Sequence, residues 1–290
     1  MRVHVVGLGH IGGSIALAGR AAGHEVGGHD PSVVPDLDDV SVADADLVVV
    51  ATPLRGLDAD VARLLDEVDP ARTTITDVAS VKGPVLSAAA GHPAFVSSHP
   101  MAGTERSGWD AADPELFRGA PWIVLVGEGA DIARVALVCR FALDLGAKPV
   151  PIHPASHDRA LAIVSHVPHV LAAALTLQAE QHLPLAAGSL HGAARVAAGD
   201  PALPTAMVEL NREAIDTALD HLQATIDRLR EADRPERYFV SARAVWDRFR
   251  GRNMVAVERP LTATGLRAVG EVGGWVTGIG DSTFTAEVPT

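Results

Sequence analysis

His99 stands between a serine pair and a proline in Ser97-Ser98-His99-Pro100. With an ordinary pKa near ~6.5, an imidazole takes a proton from an alcohol at neutral pH while a hydride leaves the same carbon. Ser80, in Asp77-Val78-Ala79-Ser80-Val81-Lys82, is a candidate to share that hydroxyl; its competing role is a helix cap before Gly83. Ser165-His166-Val167-Pro168-His169 lies inside an apolar helical run, with two histidines three apart on one face and a proline that kinks the helix and frees the carbonyl of Val164. A polar, broken patch is costly in a core, so the segment is expected to face a cleft. Two histidines with no Cys, Asp or Glu at ligand spacing make a poor metal site, and none is expected. Arg195 is the only Lys or Arg in His191 to Ala197, where it clamps a carboxylate, either a substrate's or that of an internal Asp.

These groups need a scaffold, and the first thirty residues supply its pattern. Arg2 to Val6 is a β-branched run ending in Gly7-Leu8-Gly9-His10-Ile11-Gly12, which opens an apolar helix. Gly7 permits the tight turn, Gly9 lets a pyrophosphate approach bare backbone, and Gly12 lets the helix pack close to the strand with its amino end facing the anion. A second strand, Glu25 to His29, delivers Asp30 about twenty residues on, in reach of a ribose diol. No Arg or Lys follows Asp30 to welcome a 2′-phosphate, so NAD is expected over NADP. In an open sheet the ligand sits beyond the carboxyl ends of the strands. Thr52-Pro53, the Asp77 to Lys82 segment and Ser97 to Glu105 are such ends and should converge on the nicotinamide.

Strands at 46–51, 73–78, 95–98, 122–126 and 148–152 alternate with helices near 57–68, 83 onward and 132–145, which predicts an α/β Rossmann-type doubly wound parallel sheet over residues 1–153. From residue 154 to 290 the pattern turns helical and predicts a substrate and dimerisation domain. Pro204 to Ala232 reads as one long helix, whose seam of Ile215, Leu219, Leu222, Ile226 and Leu229 serves either intrachain packing or a subunit interface. Val255 to Thr290 is a short tail without an assigned structure.

Composition narrows the partners. Of 290 residues, 48% are hydrophobic and 21% charged, and the net charge of −12 carries no basic block, which argues against nucleic acid and anionic membrane. No apolar run looks long enough to span a bilayer and no leader precedes the first strand, so a cytoplasmic protein is expected. The single cysteine, Cys139, reads as a buried, inert thiol.

Taken together, GLGHIGGS, TDVASVKG, SSHPMAGTERSGW and SHVPH resemble the prephenate dehydrogenase family of tyrosine biosynthesis from Met1 to about Leu229. The resemblance implies that His99 is the catalytic base and Ser80 its helper at the ring hydroxyl. It implies that His169, with Ser165 and His166 near it, contacts substrate, that Arg195 holds a carboxylate, and that Thr104 and Glu105 line the substrate entrance. It implies a homodimer acting on prephenate, with arogenate or an amino-substituted prephenate as rival substrates. A non-catalytic dinucleotide sensor is the rival from another class. Where the family commonly has an aromatic, an acid and a threonine before the arginine, this chain has Gly192-Ala193-Ala194-Arg195. A charged gate with Glu105, and tyrosine feedback through it, are therefore not implied, and no regulatory ACT domain is recognisable.

Overall fold

The computed structural model describes residues 1–32, 37, 39–104 and 106–290. Strands β1 (Arg2–Val6), β2 (Glu25–His29), β3 (Leu47–Val50) and β4 (Thr74–Asp77) form a parallel sheet in the order β2-β1-β3-β4. Its central strands are apolar without alternation because helices cover both faces. On one face α1 (His10–Ala21) and α4 (Ile132–Asp144) bury Ile15, Val135 and Phe141 against Val3 and Val5; on the other α2 (Leu57–Glu67) and α3 (Gly83–Ala89) bury Leu64 and Val85 with Val48 and Val50. Cys139 is fully buried in the first of these layers, and burial pushes its thiol up to about 12.

The sheet continues beyond β4 through a parallel bridge between Ile75 and Phe95. Strand β5 (Ser98–Pro100) then pairs antiparallel with β6 (Pro121–Leu125), which pairs parallel with β7 (Lys148–Ile152). The antiparallel pairing of β5 with β6 has a local cause. Among the described residues between β5 and β6 there is only a three-residue 3₁₀ turn at Trp109–Ala111, with no crossover helix to return the strand in the same sense. It also moves the strand expected over 95–98 forward, so that His99 lies at the centre of β5, opposite Ile123, instead of following a strand.

Helix α5 (Pro154–Leu161), a π turn (Ala162–His166) and α6 (Val167–Gln178) run on as a single 25-residue helix. By length and composition alone it could cross a membrane, which corrects the expectation that no apolar run is long enough. Its exposed Ile163, Val164, Leu171, Leu175 and Leu177 are apolar, yet its first half carries the site described below. The π turn is where Pro168 makes itself felt: the proline has no N–H to donate, and the widened turn before it absorbs the mismatch.

Following α7 (Gly188–Ala194), the long helix expected over 204–232 is broken in two, α8 (Ala202–Leu210) and α9 (Arg212–Arg230). The break falls at Asn211, whose backbone leaves the helical region (φ −120°, ψ 31°) and whose buried carboxamide is claimed elsewhere. Along α9 the seam divides: Ile215 is buried, Leu219 and Leu222 pack beside it, and Ile226 is 40% exposed. Helix α10 (Glu236–Arg250) leaves Phe239, Val245, Trp246 and Phe249 more than half exposed.

The tail is the largest departure. Residues 254–290 form β8 (Met254–Pro260), α11 (Ala263–Glu271), β9 (Trp275–Ile279) and β10 (Thr283–Pro289), an antiparallel sheet of order β8-β10-β9. Leu266, Val269, Val276, Phe284 and Ala286 join the same core as Cys139 and Phe141. At Gly270 an added Cβ would lie 1.8 Å from the carbonyl oxygen of Pro151, so α11 sits directly on β7. The helical region therefore ends near Arg250, and the last segment packs on the nucleotide-binding sheet.

Candidate active site

A cavity of about 710 Å³ lies beyond the carboxyl ends of β1, β3 and β4 and is closed on its far side by the helical region. Gly9, His10, Ile11, Asp30, Thr52, Pro53, Ser80, His99, Thr104, Ser165, His169 and Arg195 all line it. Gly7 and Gly12 stand behind the wall. Gly7 has φ +91°, and a Cβ at Gly12 would come within 1.9 Å of the Gly7 carbonyl oxygen. A Cβ at Gly9 would meet nothing within 4 Å, so bare backbone faces the cavity there. Glu105 lies outside the described residues.

Asp30 is held in place. Its carboxylate accepts from Leu8 N–H at 2.9 Å and from both the N–H and hydroxyl of Ser32 at 2.8 and 2.6 Å. Burial alone raises its pKa, but the hydrogen bonds from Ser32 and Leu8 and the nearby His29 outweigh it and hold the carboxyl below its ordinary value. Each oxygen keeps lone-pair capacity for a ribose diol.

Among the described residues, Thr52 Oγ1 and Ser80 Oγ are buried with no hydrogen-bond partner, and both residues border the cavity. Unpaired buried hydroxyls are costly unless a ligand completes them, and here two flank the path from the glycine turn to His99. A dinucleotide fits that arrangement. Ser80 also loses its alternative role, because the first turn of α3 is capped by Asp158, which takes the N–H groups of Lys82 and Gly83, each at 2.9 Å.

The loop before α3 is pinned from beneath. Lys82 and Asp77 form a fully buried ion pair, Lys82 Nζ also donates to the Ser98 carbonyl, and Ser97 Oγ donates to Asp77 at 2.6 Å. Burial lowers the Lys82 pKa against the opposing pull of Asp77. Strand ends β4 and β5 are thus locked together, fixing Ser80 relative to His99.

His99 is 8% exposed, and its Nδ1 lies 3.0 Å from His157 Nε2. Burial first, then Lys82, His157 and His166, hold its pKa well below the ordinary value. His166, expected beside His169 on the cleft face, turns inward. It is 1% exposed, with Nδ1 accepting from the Asn211 carboxamide at 3.0 Å, and burial drives its pKa down to about 4. Only Ser165 and His169 of that segment reach the cavity wall, because the π turn rotates His166 off their face.

Several residues of the site went unread in the sequence. His157 and Asp158 back His99, Asn211 ties Asp158 and His166 together, and Arg106 borders the cavity beside His10, whose pKa burial and Arg106 lower. The pair His157-Asp158 was findable, as an imidazole followed by an acid in the first turns of a helix opened by Pro154. Asn211 gives no such signal.

A parallel sheet with a glycine turn, a cavity across the strand ends and a buried imidazole defines a dinucleotide-binding dehydrogenase. The profile of the prephenate dehydrogenase nucleotide-binding domain matches residues 11–150, and that of the prephenate dehydrogenase dimerization domain matches residues 153–238. The chain belongs to the prephenate dehydrogenase family. It is 31% identical over 272 residues to a prephenate dehydrogenase of Bacillus subtilis, covering 82% of this chain and 73% of that one. It is 31% identical over 258 residues to a cyclohexadienyl dehydrogenase of Zymomonas mobilis, covering 79% and 87%. Among solved structures, prephenate dehydrogenase from A. aeolicus in complex with hydroxyphenyl propionate and NAD⁺ superposes with a TM-score of 0.77 at 25% identity, covering 86% of this chain and 98% of that one.

Proposed function

We propose that the protein catalyses NAD-dependent oxidative decarboxylation of prephenate to 4-hydroxyphenylpyruvate, as a homodimer. The observation that supports this most is His99, buried and with its pKa held below the ordinary value chiefly by burial, bordering one cavity with Arg195 and the glycine turn. NAD would be held by the α1 amino end, Asp30 and Thr52, and when bound it supplies the acceptor for the hydride leaving the ring carbon that bears the hydroxyl. His99 takes the hydroxyl proton, and Ser80 Oγ, otherwise unpaired, holds the same oxygen. Arg195 clamps a carboxylate, with His169 beside it. Loss of CO₂ then leaves an aromatic ring, which makes the reaction irreversible. The exposed apolar faces of α6 and α10 supply the surface for dimerisation.

A second reading, oxidation of arogenate, is favoured by Asp200. Asp200 borders the cavity five residues beyond Arg195, and its carboxylate, which accepts from Ala202 N–H at 2.9 Å, keeps capacity to meet a substrate ammonium. Reduced-cofactor absorbance with each substrate tests both: prephenate turning over at least tenfold faster supports the first reading, and the reverse order selects the second. Cofactor choice is checked separately. Asp30→Ser removes the carboxylate that repels a 2′-phosphate and should cut the NAD to NADP ratio of kcat/KM at least tenfold. A wild-type preference for NADP would contradict this account of Asp30.

A further inference from the structure

We propose that Asp158, acting through His157, is a positioning pair that holds His99 in the tautomer protonated on Nδ1, so that Nε2 carries the lone pair that receives the substrate's proton. The inference rests on the reading of His99 as the base.

The assignment follows the chain of donors and acceptors from its charged end. Asp158 Oδ1 lies 2.7 Å from His157 Nδ1, and the same carboxylate accepts from Lys82 N–H and Gly83 N–H. A carboxylate only accepts, so His157 Nδ1 carries the hydrogen. A neutral imidazole has one N–H, which leaves His157 Nε2 an acceptor. His99 Nδ1, 3.0 Å away, must therefore donate, and His99 Nε2 is left unprotonated.

The charged surroundings agree with that protonation pattern. Facing His99 are Lys82, His157 and His166, all of which resist a positive charge on it; facing His157 are Asp158, Lys82 and Asp77. Burial is the largest influence on both rings and lowers the pKa of each, which favours their neutral forms. When His99 takes a proton, the resulting imidazolium donates through Nδ1 into a chain that ends on the Asp158 carboxylate, which compensates the new charge. The chain also crosses the molecule: His99 is on β5 of the sheet, whereas His157 and Asp158 open α5, anchored by the Asn211 carboxamide donating to the Asp158 carbonyl at 2.9 Å.

Asp158→Asn is the direct test. Its carboxamide cannot accept from Lys82 N–H, Gly83 N–H and His157 Nδ1–H together, so it removes the anion and weakens the bond that fixes the His157 tautomer and, through it, the proton on His99 Nδ1. The expected result is a fall in kcat of about 10²-fold or more, the scale on which a base in the wrong tautomer loses its function. Substrate KM and NAD Kd should stay within about threefold, and the acid limb of the rate profile should move to lower pH because the compensating anion is gone. Asp158→Glu should recover at least tenfold of the lost kcat. His157→Phe, which leaves Asp158 capping α3, should show the same loss and covers the case in which Asp158→Asn does not fold. Wild-type kcat in either folded variant overturns the proposal, as does a loss that Asp158→Glu fails to repair with an unmoved acid limb. His99→Asn, run in parallel, separates the two levels: if it retains turnover, the base assignment itself fails, whereas its loss beside an active Asp158→Asn removes only the positioning pair.

Discussion

Replacing His99 by Asn is expected to lower kcat by at least ~10²-fold while NAD affinity changes little. The substitution is close to isosteric on the Nδ1 side, so the carboxamide can keep donating to His157 Nε2 and the centre of β5 stays packed. What it removes is the nitrogen proposed to take the substrate's hydroxyl proton. The sign of the pH dependence follows from the direction of the His99 shift. Burial, Lys82 and the neighbouring histidines lower its pKa well below 6.5, and the working form is unprotonated. Activity is therefore kept above that depressed value and lost only as pH falls through it, so the acid limb lies below the range of a free imidazole. In the Asn variant the residual rate should lack this limb. Steady-state kinetics between pH 5 and 8, with cofactor binding followed by fluorescence, check both points. Unchanged turnover would take His99 out of the mechanism.

The nucleotide half of the site was legible because its demands fall on single residue types at fixed spacing. Gly7, Gly9, Gly12 and Asp30 are dictated by backbone approach and by a carboxylate at a strand end, and the structure places them accordingly. Ser80, His99, His169 and Arg195 border one cavity because strand ends and the first turns of a helix are the places a sheet offers for chemistry. His166 misled for a specific reason. Spacing of three on a regular helix puts it beside His169, but Pro168 forces a π turn just before it, and the extra residue in that turn rotates His166 toward Asn211.

The unread parts depend on contacts between segments far apart in sequence. Asn211 breaks a helix that its own neighbours favour, because its carboxamide is needed by Asp158 and His166, some fifty residues earlier. The tail gave only Gly, Thr and Val without clear alternation. Its strand β8 is exposed, and what settles the unit is the core it shares with α4 and the close seat of Gly270 on β7, neither visible locally.

Arg195→Ala should raise substrate KM by roughly 10²-fold and leave NAD Kd and thermal stability near wild type. Arg195 opens the 3₁₀ turn at Arg195–Ala198, across the cavity from the glycine turn, and its charge adds to burial in lowering the His169 pKa. A charge-assisted hydrogen bond to a carboxylate in such a site contributes about 1.5–3 kcal/mol, or roughly 10- to 150-fold in affinity, and the guanidinium can make two. With the guanidinium on the side-chain carboxylate, which keeps its charge from ground state to product while the ring carboxylate leaves as CO₂, the contact is made equally throughout, so the loss falls on KM and spares kcat. Arg195→Lys keeps the charge without the fork and should fall between the two. Truncation should also let the His169 pKa rise, since the cation that lowers it is gone, and histidine NMR reads that shift directly. A shifted NAD affinity or a lost melting transition in Arg195→Ala, with KM unmoved, would instead assign the guanidinium to holding the helical wall together.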